Sequence, residues 1–325
     1  MPSPSPSAER RRRHREHGEQ RPHRRVRARA VVPGTRYKIT RRCLERRLFL
    51  TPDSPEIREI IGYILGLCLE DYGLQLHAAC FMGNHYHLDV TDTRGEFPAF
   101  KCKFNSLVAK ALNAHRGRFD RFWSGDTPCD VELVDDDDVV DRMVYTLVNP
   151  VAAGLVPRAR RWTGLSTAGV EFGTQMVFRR PAGYFDSENP NVPAASRVTV
   201  VRPQVMEDLS DSEFQRLLED KVRRREAEEK ARMRAENRRF ACESRVARQN
   251  WRSQPKRRED RFTTTPRIAA GSMWSRFAAQ QRDRSWQADY AEAYAARLRG
   301  ESFVFPYGTY AERRFRNVSV ADPPG

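Results

Sequence analysis

Leu74-Gln75-Leu76-His77-Ala78-Ala79-Cys80-Phe81-Met82-Gly83-Asn84-His85-Tyr86-His87-Leu88-Asp89-Val90-Thr91 is the stretch whose reading decides the fold. Residues 74–82 form an apolar run with strand character. Gly83-Asn84 supplies a tight connection, and residues 85–91 alternate polar with apolar, so the pair predicts a β-hairpin. Side chains two apart on a strand share a face. His85, His87 and Asp89 therefore point one way. Tyr86, Leu88 and Val90 point the other, toward a helix-covered core.

Working outward, residues 36–41 have strand composition, with Tyr37 and Ile39 on one face. A helix follows. Asp53 is placed to cap it with Glu56 three residues on, and Pro55 suits its first turn. Ile57, Ile60, Ile61, Ile64, Leu65 and Cys68 recur at helical spacing and predict a core face, and Gly73 ends the helix. Beyond the hairpin, residues 97–115 predict a second helix with Phe100, Phe104, Leu107, Val108, Ala111 and Leu112 buried. Residues 129–134 read as a short strand. The acidic run 135–138 suits the positive end of a third helix, expected to finish near Asn149-Pro150. Strand, helix, strand, strand, helix, strand, helix is an α+β pattern. It predicts a ferredoxin-like split βαβ sandwich with one added C-terminal helix.

Composition divides the rest of the chain into a disordered basic arm (1–31), the α+β domain (32–168), a linker-rich segment (169–205) and a largely helical basic extension (206–325). Residues 189–203 are rich in Pro, Asn and Ser and read as linker. Ser210 and Glu213 have capping-box spacing at the start of an amphipathic helix. Trp286, Tyr290, Tyr294 and Leu298 form a stripe expected to pack rather than stack on bases. The full chain of 325 residues carries 58 Lys and Arg against 43 Asp and Glu, a net charge of +15. Such an excess points to a polyanionic partner, a nucleic acid or an acidic surface. No stretch reaches the roughly 18 apolar residues of a membrane span, and residues 1–17 lack the apolar core of a secretory signal. The six cysteines form no C-x-x-C pair. Cys68, Cys80 and Cys102 read as reduced core residues of a cytoplasmic protein.

Two imidazoles two apart on a strand can share a divalent metal, although His-x-His alone is a weak signal. The third helix adds Tyr145 and Asn149, four apart and hence on one face. Tyr145 lies off the apolar stripe of Val140, Val144 and Leu147. A tyrosine hydroxyl can attack a phosphodiester that a metal makes electrophilic, and Asn149 can offer a neutral oxygen. Asp89 shares the histidine face, as a carboxylate that is solvated or paired with a lysine, or one that sits near such a metal.

Met82-Gly83-Asn84-His85-Tyr86-His87-Leu88 resembles the HUH motif, two histidines around a bulky residue. The run from Tyr145 through Asn149-Pro150 to Val156 resembles the tyrosine helix of the single-tyrosine HUH transposases, in particular the REP-associated tyrosine transposases. Pro33-Gly34, Tyr37, Asn113 and Phe122-Trp123 also fit, so the likeness spans about residues 33–168. Gly83 stands where a proline is common, Tyr86 is larger than the usual aliphatic residue, and Asp89 replaces a small or apolar one. The resemblance implies that His85, His87 and Asn149 bind Mg²⁺ or Mn²⁺. It implies that Tyr145 is the catalytic nucleophile, cleaving single-stranded or hairpin DNA through a 5′-phosphotyrosine. It also implies a location on the nucleoid. A non-catalytic DNA-binding protein of the same fold is the alternative. A replication or conjugation initiator ranks third, because the chain has no GxxxxGK[ST] phosphate loop. Monomer and homodimer both stay open.

Residues 9–30 hold ten Arg and three Glu, and residues 221–258 hold fifteen Lys or Arg and five Glu. Both predict sequence-independent phosphate contact. On single strands each such contact steepens the log–log dependence of affinity on salt by roughly 0.7. Deleting residues 9–30 is expected to flatten that slope and weaken binding to all sequences alike. A deletion that altered target preference with the slope intact would contradict this reading.

Overall fold

The structure, a computed structural model, describes residues 28–125, 129–254 and 266–323. Most of the basic arm therefore lies outside the described residues, as do 255–258 of the second basic segment. The elements are β1 (Thr35–Arg42), α1 (Pro55–Tyr72), β2 (Leu74–Phe81), β3 (His85–Asp92), α2 (Phe97–His115), β4 (Cys129–Leu133), α3 (Asp136–Ala152), β5 (Gln175–Arg179), β6 (Ala195–Thr199), α4 (Asp211–Ala235), α5 (Glu243–Ala247), β7 (Ile268–Ala269), α6 (Met273–Arg299) and α7 (Ala311–Arg316). It is a mixed α+β structure built on a five-stranded sheet of order β2-β3-β1-β4-β7. β3 lies antiparallel between β1 and β2, with His85 opposite Arg42 and His87 opposite Thr40. β4 runs antiparallel to β1, and β7 adds a parallel edge beside β4.

The sheet is covered on both faces. Tyr37, Ile39, Tyr86, Leu88 and Val90 join α1 and α2 in one apolar cluster. Ala78, Cys80, Met82 and Val131 join α3 and Phe214 of α4 in a second cluster. A bulge between Leu76 and Ala78 shifts the alternation of β2 by one residue, so that Leu74 and Leu76 share a cluster with Ala79 and Phe81 while Ala78 and Cys80 enter the other. The extra residue, His77, is buried; its ring bonds Val201 O and Thr91 Oγ1 at 2.7 and 2.8 Å.

Local chemistry departs from the sequence reading in several places. Ser54, not Asp53, is the N-cap of α1, and its side chain makes no capping bond. Asp53 is instead drawn to the buried Arg116 guanidinium at 2.9 Å, which also bonds Phe49 O and Thr51 O. A charge taken out of water needs such a partner more than the helix end needs a cap. Gly73 closes α1 in the left-handed region at φ 64°, as expected of a helix-ending glycine. Helix α3 runs past Asn149-Pro150 to Ala152, with Pro150 inside its last turn. A proline there removes one intrahelical donor, and the turn still closes through Ala153 N donating to Asn149 O at 2.9 Å. Cys102 is exposed, whereas Cys68 and Cys80 are buried, and all six cysteines are free.

Residues 189–203 do not remain a linker. They include β6, which pairs with β5, and Val198 and Phe178 enter the cluster under α1. In the C-terminal extension the Ser210–Glu213 capping box forms as expected. The aromatic stripe packs partly: Trp286, Tyr290 and Tyr294 stack in series and Tyr290 meets Phe305, while Leu298 is exposed. No helix among the described residues is long and apolar enough to cross a membrane.

The β5–β6 pair approaches α1 at Gly62 and Gly66. A Cβ on Gly66 would sit 2.8 Å from Arg197 O and 2.6 Å from Ser196 Oγ. In an open helix Gly→Ala gains up to about 1 kcal/mol. Here overpacking against backbone reverses the sign, and Gly66→Ala is expected to destabilise by about 1–2 kcal/mol in urea unfolding. Equal or greater stability would mean that β6 does not sit on α1.

Candidate functional site

The polar face of β3 meets one face of α3. His87 is buried, His85 and Asn149 are half-buried, and Tyr145 is 48% exposed. The His85 and His87 rings meet edge to face with centroids 4.9 Å apart. The His87 and Tyr145 rings do the same at 5.5 Å. Asn149 Nδ2 lies 3.1 Å from His87 Nε2. The four predicted residues are thus gathered on two facing elements. Strand alternation presents the two histidines, and the four-residue helical spacing presents Tyr145 and Asn149 together.

His87 is held from both sides. An amide nitrogen only donates, so Nε2 accepts from Asn149, and the ring proton therefore sits on Nδ1. Nδ1 donates to Thr40 Oγ1 at 2.8 Å. Burial, with the nearby Lys38, His85 and Arg42 charges, pushes the His87 pKa well below its ordinary 6.5. His85 is oriented by its neighbour Asn84, whose Oδ1 lies 2.6 Å from His85 Nδ1.

Asp89 is not solvated. It is fully buried, and its Oδ1 lies 3.5 Å from Lys38 Nζ. Lys38 also donates to Thr146 Oγ1 and to Arg142 O, and lies 4.8 Å from the centre of the Tyr145 ring. Burial raises the Asp89 carboxyl pKa and lowers that of the Lys38 ammonium, each opposed by the charge of the other. Lys38, Thr40 and Thr146 were not singled out from sequence. The signal for the first two was available: with Tyr37 and Ile39 on the core face of β1, residues 38 and 40 must share the histidine face. Among the described residues no group of three or more His, Cys, Asp or Glu gathers; the expected ligand set contains only two such residues and an amide.

Neither a protein-family model nor a curated protein matches the sequence. Solved structures similar to the chain include a REP-associated tyrosine transposase bound to a REP hairpin, at 16% identity and a TM-score of 0.36, covering 46% of this chain and 82% of that one. Another is a candidate transposase from Deinococcus radiodurans R1, at 19% identity and a TM-score of 0.26, covering 32% of this chain and 82% of that one.

The depressed His87 pKa fixes a sign. The folded chain binds fewer protons than the unfolded chain below 6.5, so this contribution to stability is present above 6.5 and declines as pH falls. Buried His77, lowered to about 4, acts in the same direction. Ring ¹⁵N spectra at about pH 6 are expected to report His87 as neutral with its proton on Nδ1, while unfolding free energy drops on acidification. A His87 imidazolium signal at that pH would contradict the assignment.

Proposed function

We propose that the chain is a tyrosine-nucleophile DNA strand-transfer enzyme acting on single-stranded or hairpin DNA, with Tyr145 as nucleophile and His85, His87 and Asn149 as metal ligands. The observation that carries this reading is the convergence on His87 of Asn149 at its Nε2 and Tyr145 at its ring edge. The sandwich order of the first four strands, ferredoxin-like in this reading, brings those residues together from opposite layers.

The donor set fits a divalent cation such as Mg²⁺ or Mn²⁺. His85 and His87 would offer imidazole nitrogens and Asn149, with its amide turned over from the orientation that donates to His87, an amide oxygen, all uncharged, while the nearby carboxylate of Asp89 is engaged by Lys38. An uncharged ligand set leaves the cation's charge to be met by a phosphate. When bound, the metal would polarise the scissile phosphate. Thr40 fixes the His87 tautomer so that Nε2 keeps its lone pair. Tyr145, half exposed, can meet a DNA strand without unfolding of α3. Its phenol oxygen forms a bond to phosphorus as the bond to the 3′ oxygen breaks. The phenol gives up its proton and the departing 3′ oxygen takes one up, leaving a 5′-phosphotyrosine and a free 3′-OH. Attack by another 3′-OH on that ester joins strands without ATP. The basic surface supplies affinity along the backbone.

With a labelled single-stranded hairpin and Mn²⁺, the parent chain is expected to form a covalent protein–DNA adduct. Tyr145→Phe should abolish the adduct with folding and DNA affinity nearly unchanged, since the side chain lies outside both apolar clusters. An adduct in the Phe variant would assign the nucleophile elsewhere. His85→Ala and His87→Ala should each remove Mn²⁺-dependent cleavage and a site in calorimetric titration. Unchanged Mn²⁺ affinity in both would remove the metal from this pocket. DNA binding by the parent with no adduct under any metal would favour a non-catalytic binding protein.

A further inference from the structure

Lys38 is an unusual residue to find under a half-exposed tyrosine. Its side chain is 8% exposed, and that of its partner Asp89 is 1% exposed. An ammonium has three protons to donate. Here it has three acceptors: Asp89 Oδ1 on β3, and Arg142 O and Thr146 Oγ1 on α3. No proton is left over for a DNA strand, so Lys38 is not placed to act on substrate. Arg142, Tyr145 and Thr146 are three and four apart, which puts them on the turn of α3 that carries the phenol. The lysine thus grips that turn from the sheet and meets the Tyr145 ring 4.8 Å from its centre. An apolar pair of similar volume would seal the layer as well or better. It would lack two things that this pair supplies: directional bonds that fix the rotation of α3 against β1 and β3, and a cation against the aromatic ring.

We infer that Lys38, anchored by Asp89, is the positioning residue for Tyr145, seating the phenol for attack on the phosphodiester. This rests on the function proposed above. Lys38→Met alone would strand a buried carboxylate and endanger folding, so the test uses the paired neutral variant Lys38→Met/Asp89→Asn. It has two readouts. One is the single-turnover rate of adduct formation on the labelled hairpin, with DNA affinity measured alongside. The other is the ¹⁹F signal of 3-fluorotyrosine, assigned to position 145 by its loss in Tyr145→Phe. The paired variant is expected to fold and to bind DNA like the parent. Its adduct rate should fall about 100-fold, the cost of a misplacement near 1 Å, and its Tyr145 resonance should shift and broaden. A parental rate with an unchanged resonance would overturn the inference and leave the pair a structural filler. If the parent itself forms no adduct, the functional reading fails, and the ¹⁹F comparison alone then decides whether Lys38 seats the ring. A paired variant that does not fold is replaced by the charge exchange Lys38→Asp/Asp89→Lys, which keeps a pair but moves the cation to β3. Restored rate and resonance there would equally overturn the inference, and a folded variant with the ring still displaced would support it.

Discussion

Strand β3 can occupy only one register between β1 and β2. Tyr86, Leu88 and Val90 fill the apolar cluster beneath α1 and α2, where Tyr86 packs against Phe81, Phe104 and Trp123. A slip of one residue would drive two imidazoles and a carboxylate into that cluster and turn three apolar side chains onto the opposite face. Burial of one face therefore fixes the chemistry of the other. The histidines stand where they do because their neighbours cannot stand anywhere else. Helix α3 then has a polar row to meet, and its own apolar side chains hold it against the sheet through Val140, Met143, Leu147 and Val151.

Between those layers lies a set of buried polar groups that water does not solvate. Their cost is met by pairing within the sheet, Lys38 with Asp89 and His87 with Thr40, and across to α3, Lys38 with Thr146 and His87 with Asn149. Each pair joins residues from different elements, so the polar cluster specifies how α3 lies on the sheet as well as where His87 and Asn149 sit. Among the described residues Asp89 Oδ2 has no hydrogen-bond partner. Leaving a buried acceptor unmade is costly, and the cluster is correspondingly intolerant of losing the Lys38 cation.

The C-terminal half completes the fold around this core. Both apolar clusters draw residues from either side of residue 168, Val198 and Phe178 on one face and Phe214, Leu218 and Val246 on the other. The charged second half of α4 is anchored in part by polar contacts to its neighbours: Glu226 accepts from Ala159 N at 2.7 Å, and Arg232 donates to Ala152 O at 2.9 Å. The segment 221–235 of the second basic stretch is therefore structural on one side and exposed on the other.

By itself the sequence determined the elements whose periodicity is strong: the boundaries of α2, the hairpin turn at Gly83-Asn84, the end of α1 at Gly73, and the shared faces of His85 with His87 and of Tyr145 with Asn149. These follow from local geometry, the two-residue repeat of a strand and the 3.6-residue turn of a helix, and need no knowledge of what lies opposite. Tertiary structure alone decided the rest. The two-residue β7 carries too little pattern to be read, and exists because β4 offers it an open edge. Asp53 and Asp89 had plausible local roles that a buried cation overrode in each case, Arg116 for one and Lys38 for the other. The strand β6, drawn from a Pro- and Asn-rich stretch, is set by the space that Gly66 leaves on α1, as Phe178 of its partner β5 is by Gly62. In each case the deciding partner lies far along the chain, and a local pattern carries no record of it.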